Sequence, residues 1–292
     1  PTLWHAALWQ NGMIRDLGTL GGPSSFAFLI NERGQVAGAS YTNSIPTPEG
    51  GIPKIHTFFW ENGRMVDIGT LGGVWADAGA MNNRGEVVGT SATVSDDQHA
   101  FHWSRGKMID LGSLGGTFSF ATAMNDNGSV VGGATHIEDE DVFGFLWHDG
   151  VMTDLGALEG SACSVPSSIN SKGQIVGGSD TDCDGTGPRA WISENGGPMV
   201  DLNTLVPPRS DLYLAEAQFI NDRGEIAGLA FLSNGDAHAF LLIPRKGGAA
   251  NKAATTPGST RVIHGKLTPE KLAALRTRFA NRHGAMGRRL WK

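Results

Sequence analysis

Histidine and aspartate recur at fixed places along this 292-residue chain: His5, His56, His99 and His238 in one series, Asp16, Asp67, Asp110, Asp154 and Asp201 in the other. Imidazole beside carboxylate is metal-ligand chemistry, so a set of metal sites is one reading. The other is that each His or Asp holds a neighbouring turn through a hydrogen bond. A reactive site needs unlike groups converging on one point, whereas a phrase copied along a chain encodes a structural unit. The copying favours the structural reading. Trp9, Trp60, Trp103, Trp147 and Trp191 repeat in step with that phrase and read as packing between units, each with its indole N–H satisfied.

Chemistry is better sought in residues that are not copied. Glu159, Asp211 and Glu216 lie where the repeat diverges and are the candidates for a catalytic carboxylate. The stretch "DTDCDG" sets Asp180, Asp182, Asp184 and Gly185 at the spacing of a calcium loop, whose alternate carboxylates converge on one hard cation while Gly permits the turn. Its twelfth position is Trp191 instead of a bidentate Glu, so bound calcium would need ligands from elsewhere. An ordinary solvated acidic loop is the competing reading. "GTLGG" has the glycines of a phosphate cradle but no following Lys-Ser/Thr and no helix start, so tight turns explain it better. The sequence contains no nucleophile elbow, HExxH or paired-Cys metal signature.

The elements that position these residues come from the repeat itself. "HTFFWENGRMVDIGTLGG" (56–73) matches "HAFHWSRGKMIDLGSLGG" (99–116) at the same spacings. One full cycle is an apolar stretch ending in Asn, a Gly turn, "VVG", a variable loop, "HAFxW", another Gly turn and "MxDLGTLGG". Asn31, Asn82, Asn125, Asn170 and Asn221 mark the cycles at spacings of 51, 43, 45 and 51 residues, near the period of four-stranded propeller blades. Each cycle holds four short β-like runs, a to d, exemplified by "SFAFLIN", "QVAGAS", "HTFFW" and "RMVDIG". Alternation in "HAFHW" puts His99, Phe101 and Trp103 on one side of a strand and Ala100 and His102 on the other, both largely apolar, as stacked blades require. The expected fold is all-β, a β-propeller of five four-stranded blades over residues 1–244. The N-terminal d strand, Met13 to Gly18, would complete the blade begun by residues 215–243, leaving the strand at His5 to Trp9 surplus. A sixth, composite blade is the alternative. The two cysteines, Cys163 before strand a and Cys183 in the b-to-c loop of the same blade, would emerge on one face, which predicts a disulfide.

The phrases "HAFHW", "GKMIDLGSLGG", "AMNDNGSVVGG" and the closing "HAFLLIP" resemble the HAF-repeat family of probable extracellular bacterial proteins, over about residues 4–244. The resemblance implies export and a propeller-like fold, and brings no catalytic residues with it. The chain departs from the pattern where Phe143 and Pro188 stand for the expected His and "NTLVPP" for "GTLGG". That side of the ring is the place to seek a specific function.

Charge divides the chain. The net −6 combines +11 beyond residue 244 with −17 before it. Residues 245–260 read as a flexible linker and 261–292 as a basic tail with one short helix, framed by Thr268, Pro269 and Gly284, that would dock on the protein's own acidic face or on an anionic surface. The b-to-c loops gather Asp96, Asp97, Glu138, Asp139, Glu140 and Asp141 into an acidic binding face. No apolar run is long enough to span a bilayer, and the opening "PTLWHAALWQNG" has neither an initiating Met nor a signal-like stretch, which reads as a processed or trimmed chain. The functional expectation is a secreted or cell-surface binding or scaffolding propeller, extracellular or periplasmic, with a glycan or protein ligand and nucleic acid disfavoured. An extracellular glycoside-acting enzyme is the alternative.

Overall fold

The computed structural model describes residues 3–47, 53–139, 141–183, 185–207 and 210–244. The calls on the linker, the basic tail, Glu140 and Asp184 fall outside the described residues. Within them the chain is all-β, with 21 strands and two single-turn 3₁₀ segments. A hairpin of β1 (Ala7–Gln10) and β2 (Met13–Asp16) leads into four four-stranded antiparallel meanders and a three-stranded one. Blade 1 is β3 (Ser25–Ile30), β4 (Val36–Pro46), β5 (Pro53–Glu61) and β6 (Arg64–Gly69). Blade 2 is β7 (Gly72–Met81), β8 (Val87–Thr93), β9 (Gln98–Ser104) and β10 (Lys107–Gly112). Blade 3 is β11 (Gly115–Met124), β12 (Val130–His136), β13 (Val142–His148) and β14 (Val151–Gly156). Blade 4 is β15 (Cys163–Ile169), β16 (Gln174–Asp180), β17 (Arg189–Glu194) and the two-residue β18 (Val200–Asp201). Blade 5 has three strands, β19 (Leu212–Ile220), β20 (Ile226–Leu232) and β21 (Ala237–Leu242).

The alternation read from "HAFHW" is what stacks the blades. Phe101 and Trp103 of β9 turn back onto blade 1, where Trp103 meets Phe59 with ring centroids 5.1 Å apart. His102 turns forward onto Trp147 of blade 3, at 5.5 Å. Phe58, Phe101 and Phe145 are fully buried, and each such side chain contributes about 1.5–3 kcal/mol. The repeated phrase "VVG" needs its glycine for clearance: a Cβ on Gly89 would lie 2.0 Å from the Asp77 carbonyl oxygen. The turn after each d strand needs a left-handed residue, met by Gly69 at φ 83° and Gly112 at φ 73°.

Two polar devices tie blade to blade. Around the axis, each marker Asn sends its side-chain amide to the next marker's backbone carbonyl: Asn31 to Asn82, Asn82 to Asn125, Asn125 to Asn170 and Asn170 to Asn221, at 2.9–3.2 Å. Farther out, Ser25 and Ser119 accept from the backbone N–H of Ala6 and Ala100 in the preceding unit and donate to the Gly18 and Gly112 carbonyls. These buried bonds satisfy backbone groups that an apolar side chain would leave orphaned.

The predicted closure does not occur. β2 pairs with β1, not with β21, and blade 5 ends on an unpaired edge among the described residues. The physical reason is local. Asn11 and Gly12, both at positive φ, make a two-residue hairpin turn, and His5 holds Asp16 at 2.7 Å. The strand taken as surplus thus captures the one meant for blade 5. Cys163 and Cys183 are disulfide-bonded, with Cα atoms 5.2 Å apart.

Candidate binding site

Three of the four recurrent His, all but the exposed His238, form with their Asp one clamp repeated along the outer strands. In each, the imidazole Nδ1–H on strand c donates to the Asp carboxylate on strand d: His5 to Asp16, His56 to Asp67 and His99 to Asp110, at 2.7–2.9 Å. The same carboxylates accept from the backbone N–H of Gly18, Gly69 and Gly112, closing the turn. Burial pushes the Asp67 and Asp110 carboxyls up, but the bonds from His and Gly outweigh it and hold both below the usual carboxylate range. The bond to Asp110 likewise raises His99. With their hydrogen-bonding capacity turned inward, these groups bear on the fold, as the repetition implied. Among the described residues no three His, Cys, Asp or Glu converge as a cation site.

The clamp is rebuilt where the phrase diverges, in a way the sequence pattern missed. In blade 3, Phe143 takes the His place and His136 enters from β12, bonding Asp141 through Nδ1 at 2.8 Å and Asp154 through Nε2 at 3.0 Å. Burial opposes the His136 charge, and the two carboxylates outweigh it, so its pKa is raised. In blade 4 the residue at the His place is Arg189, not Pro188. Arg189 lies opposite Ser179 as His99 lies opposite Ser91, and its guanidinium sits 3.7 Å from Asp201. The same offset puts Trp191 opposite Gly177, where Phe101 faces Gly89. Trp191 packs between blades 3 and 4 as predicted but leaves its indole N–H unpartnered, and Trp9, 70% exposed, does not take the predicted packing role. The phrase thus misplaced the His position by one residue and Trp191 by two, because only cross-strand pairing fixes them.

The acidic face is smaller than its sequence count. Asp141 is buried on His136, and Asp139 is engaged by Thr117 and Thr135 across the blade 3 loop. These two serve the loop's own geometry. Asp96 and Asp97 lie in the β8–β9 turn, and Glu138 is exposed with φ 70°. Of the calcium-spaced residues, Asp180 ends β16 and Asp182 follows in the loop with one buried oxygen lacking a partner.

The divergent blades enclose the candidate site. A cavity of about 240 Å³ lies where blades 3, 4 and 5 meet. The disulfide forms one wall, Leu229 and Phe231 of β20 another, and Asp180 of β16 and Glu216 of β19 complete the lining. Glu216 occupies the strand position held by Phe26 in blade 1 and Phe120 in blade 3. Blades 2 and 4 place Asp77 and Val165 there, and at the cavity Glu216 supplies an acceptor. Of the three catalytic candidates only Glu216 lines the cavity. Glu159 is exposed, and its backbone carbonyl accepts from Arg189 at 2.6 Å. Asp211 is exposed at the start of β19. The structure therefore does not bring the three together.

The family described as "Protein of unknown function (DUF3466)" matches residues 73–278, well over half of the chain. The chain belongs to this family. No curated protein matches it. Solved structures similar to this DUF3466 chain include TolB from Acinetobacter baumannii, at 11% identity and TM-score 0.45, covering 79% of this chain and 54% of that one. The β-propeller domain of the Trilobed protease from Pyrococcus furiosus is 10% identical at TM-score 0.45, over 78% of this chain and 67% of that one. SapL1 lectin in complex with alpha methyl fucoside is 12% identical at TM-score 0.34, over 75% and 81%. The chain spans about half or less of the first three structures matched. The likeness to these neighbours is one of all-β, propeller-like architecture.

Proposed function

We propose that this DUF3466 protein is a secreted, extracellular or periplasmic binding propeller, and that its ligand is a glycan seated between blades 4 and 5. The observation that carries the reading is the cavity's lining. Two carboxylates can accept from sugar hydroxyls, and Phe231 offers an apolar surface for the sugar's C–H face. The repeated Asn ladder, Ser bridges and His–Asp clamps hold strands and blades together, which leaves recognition to the divergent blades. The disulfide fits an oxidising compartment, among the described residues no helix is long and apolar enough to cross a membrane, and the HAF-repeat resemblance supports export. Saturation-transfer NMR with a panel of common mono- and disaccharides tests the reading. Transfer to at least one sugar, lost in Glu216→Ala, is expected, and no transfer to any sugar overturns it.

A glycoside-acting enzyme is favoured by one observation, that Asp180 and Glu216 come from different blades into one cavity. Glycosidases use such a pair at about 5–10 Å. Release of nitrophenol from aryl glycosides, abolished by Glu216→Gln, would establish this reading in place of simple binding.

A further inference from the structure

Each junction in the array is built from the same two half-surfaces. The forward face of a unit offers a c-strand side chain, Leu8, Phe59, Leu146 or Ile192, to the following unit. The backward face of the following unit receives it, with Trp60 and Met65 in blade 1 and Trp103 and Met108 in blade 2. Strand pairing identifies the same positions at the two ends of the chain. Leu241 of β21 stands where Phe59 stands, and Trp9 and Ile14 of the first hairpin stand where Trp60 and Met65 stand. Phe219 occupies the place of Leu29, which packs onto blade 2.

At both ends the described residues leave these side chains bare. Phe219 is 68% exposed, Leu241 62%, Trp9 70% and Ile14 78%. One molecule therefore carries an unused forward face and an unused backward face, each matching the surface that the repeat buries elsewhere. They do not cover each other within the chain, and the axial ladder ends at the same place: Asn221 keeps the bond to its own Glu225, as Asn31, Asn82 and Asn170 do to their fourth neighbours, but gives none to a following marker among the described residues.

We propose that the protein self-associates head to tail, the forward face of blade 5 in one copy packing on the Trp9/Ile14 face of a second copy. The contact is heterologous, so it uses two different patches and leaves one of each free at the ends of any open assembly. Exposed aromatic and aliphatic side chains in this number mark an interaction surface, and the repeat specifies its partner as another unit of the same kind.

Sedimentation velocity of the full chain over a concentration series tests this. Mass is expected to rise with concentration in wild type. Trp9→Arg and Leu241→Arg should each be monomeric, because each spoils one face. Mixed together they should give a 1:1 dimer and nothing larger, since each variant retains the face that the other lacks. That complementation separates head-to-tail pairing from misfolding and from a symmetric dimer. A wild type monomeric throughout, or two monomeric variants that fail to pair when mixed, overturns the proposal.

Discussion

Asp77 gives the sharpest thermodynamic handle on this fold. It sits in β7 opposite Thr90, at the position filled by Phe26, Phe120 and Val165 in other blades. The residue as a whole is partly exposed, but its Oδ1 is buried without a hydrogen-bond partner, and that oxygen governs the cost of charge. Burial pushes its pKa up to about 7, against a weaker opposing bond from the Ala78 N–H. The folded carboxyl therefore stays protonated up to near pH 7 while the unfolded one ionises from about pH 4. Stability attributable to Asp77 is highest below pH 4, falls as pH rises and is fully lost above pH 7. At about 1.4 kcal/mol per unit the loss is at most about 4 kcal/mol. Asp77→Val, the residue that blade 4 uses there, should remove the loss. Urea unfolding at pH 4.5 and pH 8 is the assay. The variant should exceed wild type by about 1–4 kcal/mol at pH 8 and much less at pH 4.5. An equal difference at the two pH values, or a variant less stable at pH 8, refutes the reasoning.

Other substitutions test the remaining devices. Asn125→Ala removes a donor to the Asn170 carbonyl and an acceptor for the Asn127 and Ser129 N–H groups, and should cost about 1–3 kcal/mol by thermal or urea unfolding. Asp110→Asn breaks the clamp to a half-exposed carboxylate, so a loss of about 1 kcal/mol or less is expected. Because His99 has a raised pKa, that contribution should be complete below pH 6.5 and fade as pH rises past the folded value. Cys163→Ser with Cys183→Ser opens a 20-residue link and should lower stability by about 3 kcal/mol in oxidised protein, with no effect when both forms are assayed reduced.

The blade period, the strand runs and the partnering of the two cysteines were all legible, because each rests on a local pattern or a short separation. The side-chain alternation of "HAFHW" was legible for the same reason, and the clamp role of His56 and His99 followed from their repetition. What escaped was decided across strands. His136 replaces a missing His from the adjacent strand, and Arg189 occupies the His place because strand pairing sets it opposite Ser179, one residue past the Pro188 that the phrase indicated. The β1–β2 hairpin won over ring closure because a two-residue turn costs little entropy, whereas pairing β2 with β21 closes a loop of over 200 residues. Glu216 was visible as a non-repeated carboxylate, but its cavity was not, since that depends on three blades meeting.

The central claim is that recognition resides in the divergent cavity and not in the repeated clamps. A glycan array probed with wild type, Glu216→Gln and Asp110→Asn tests it most directly. The account predicts a defined set of bound glycans in wild type, retained by Asp110→Asn and lost by Glu216→Gln. Loss in Asp110→Asn with retention in Glu216→Gln would contradict it.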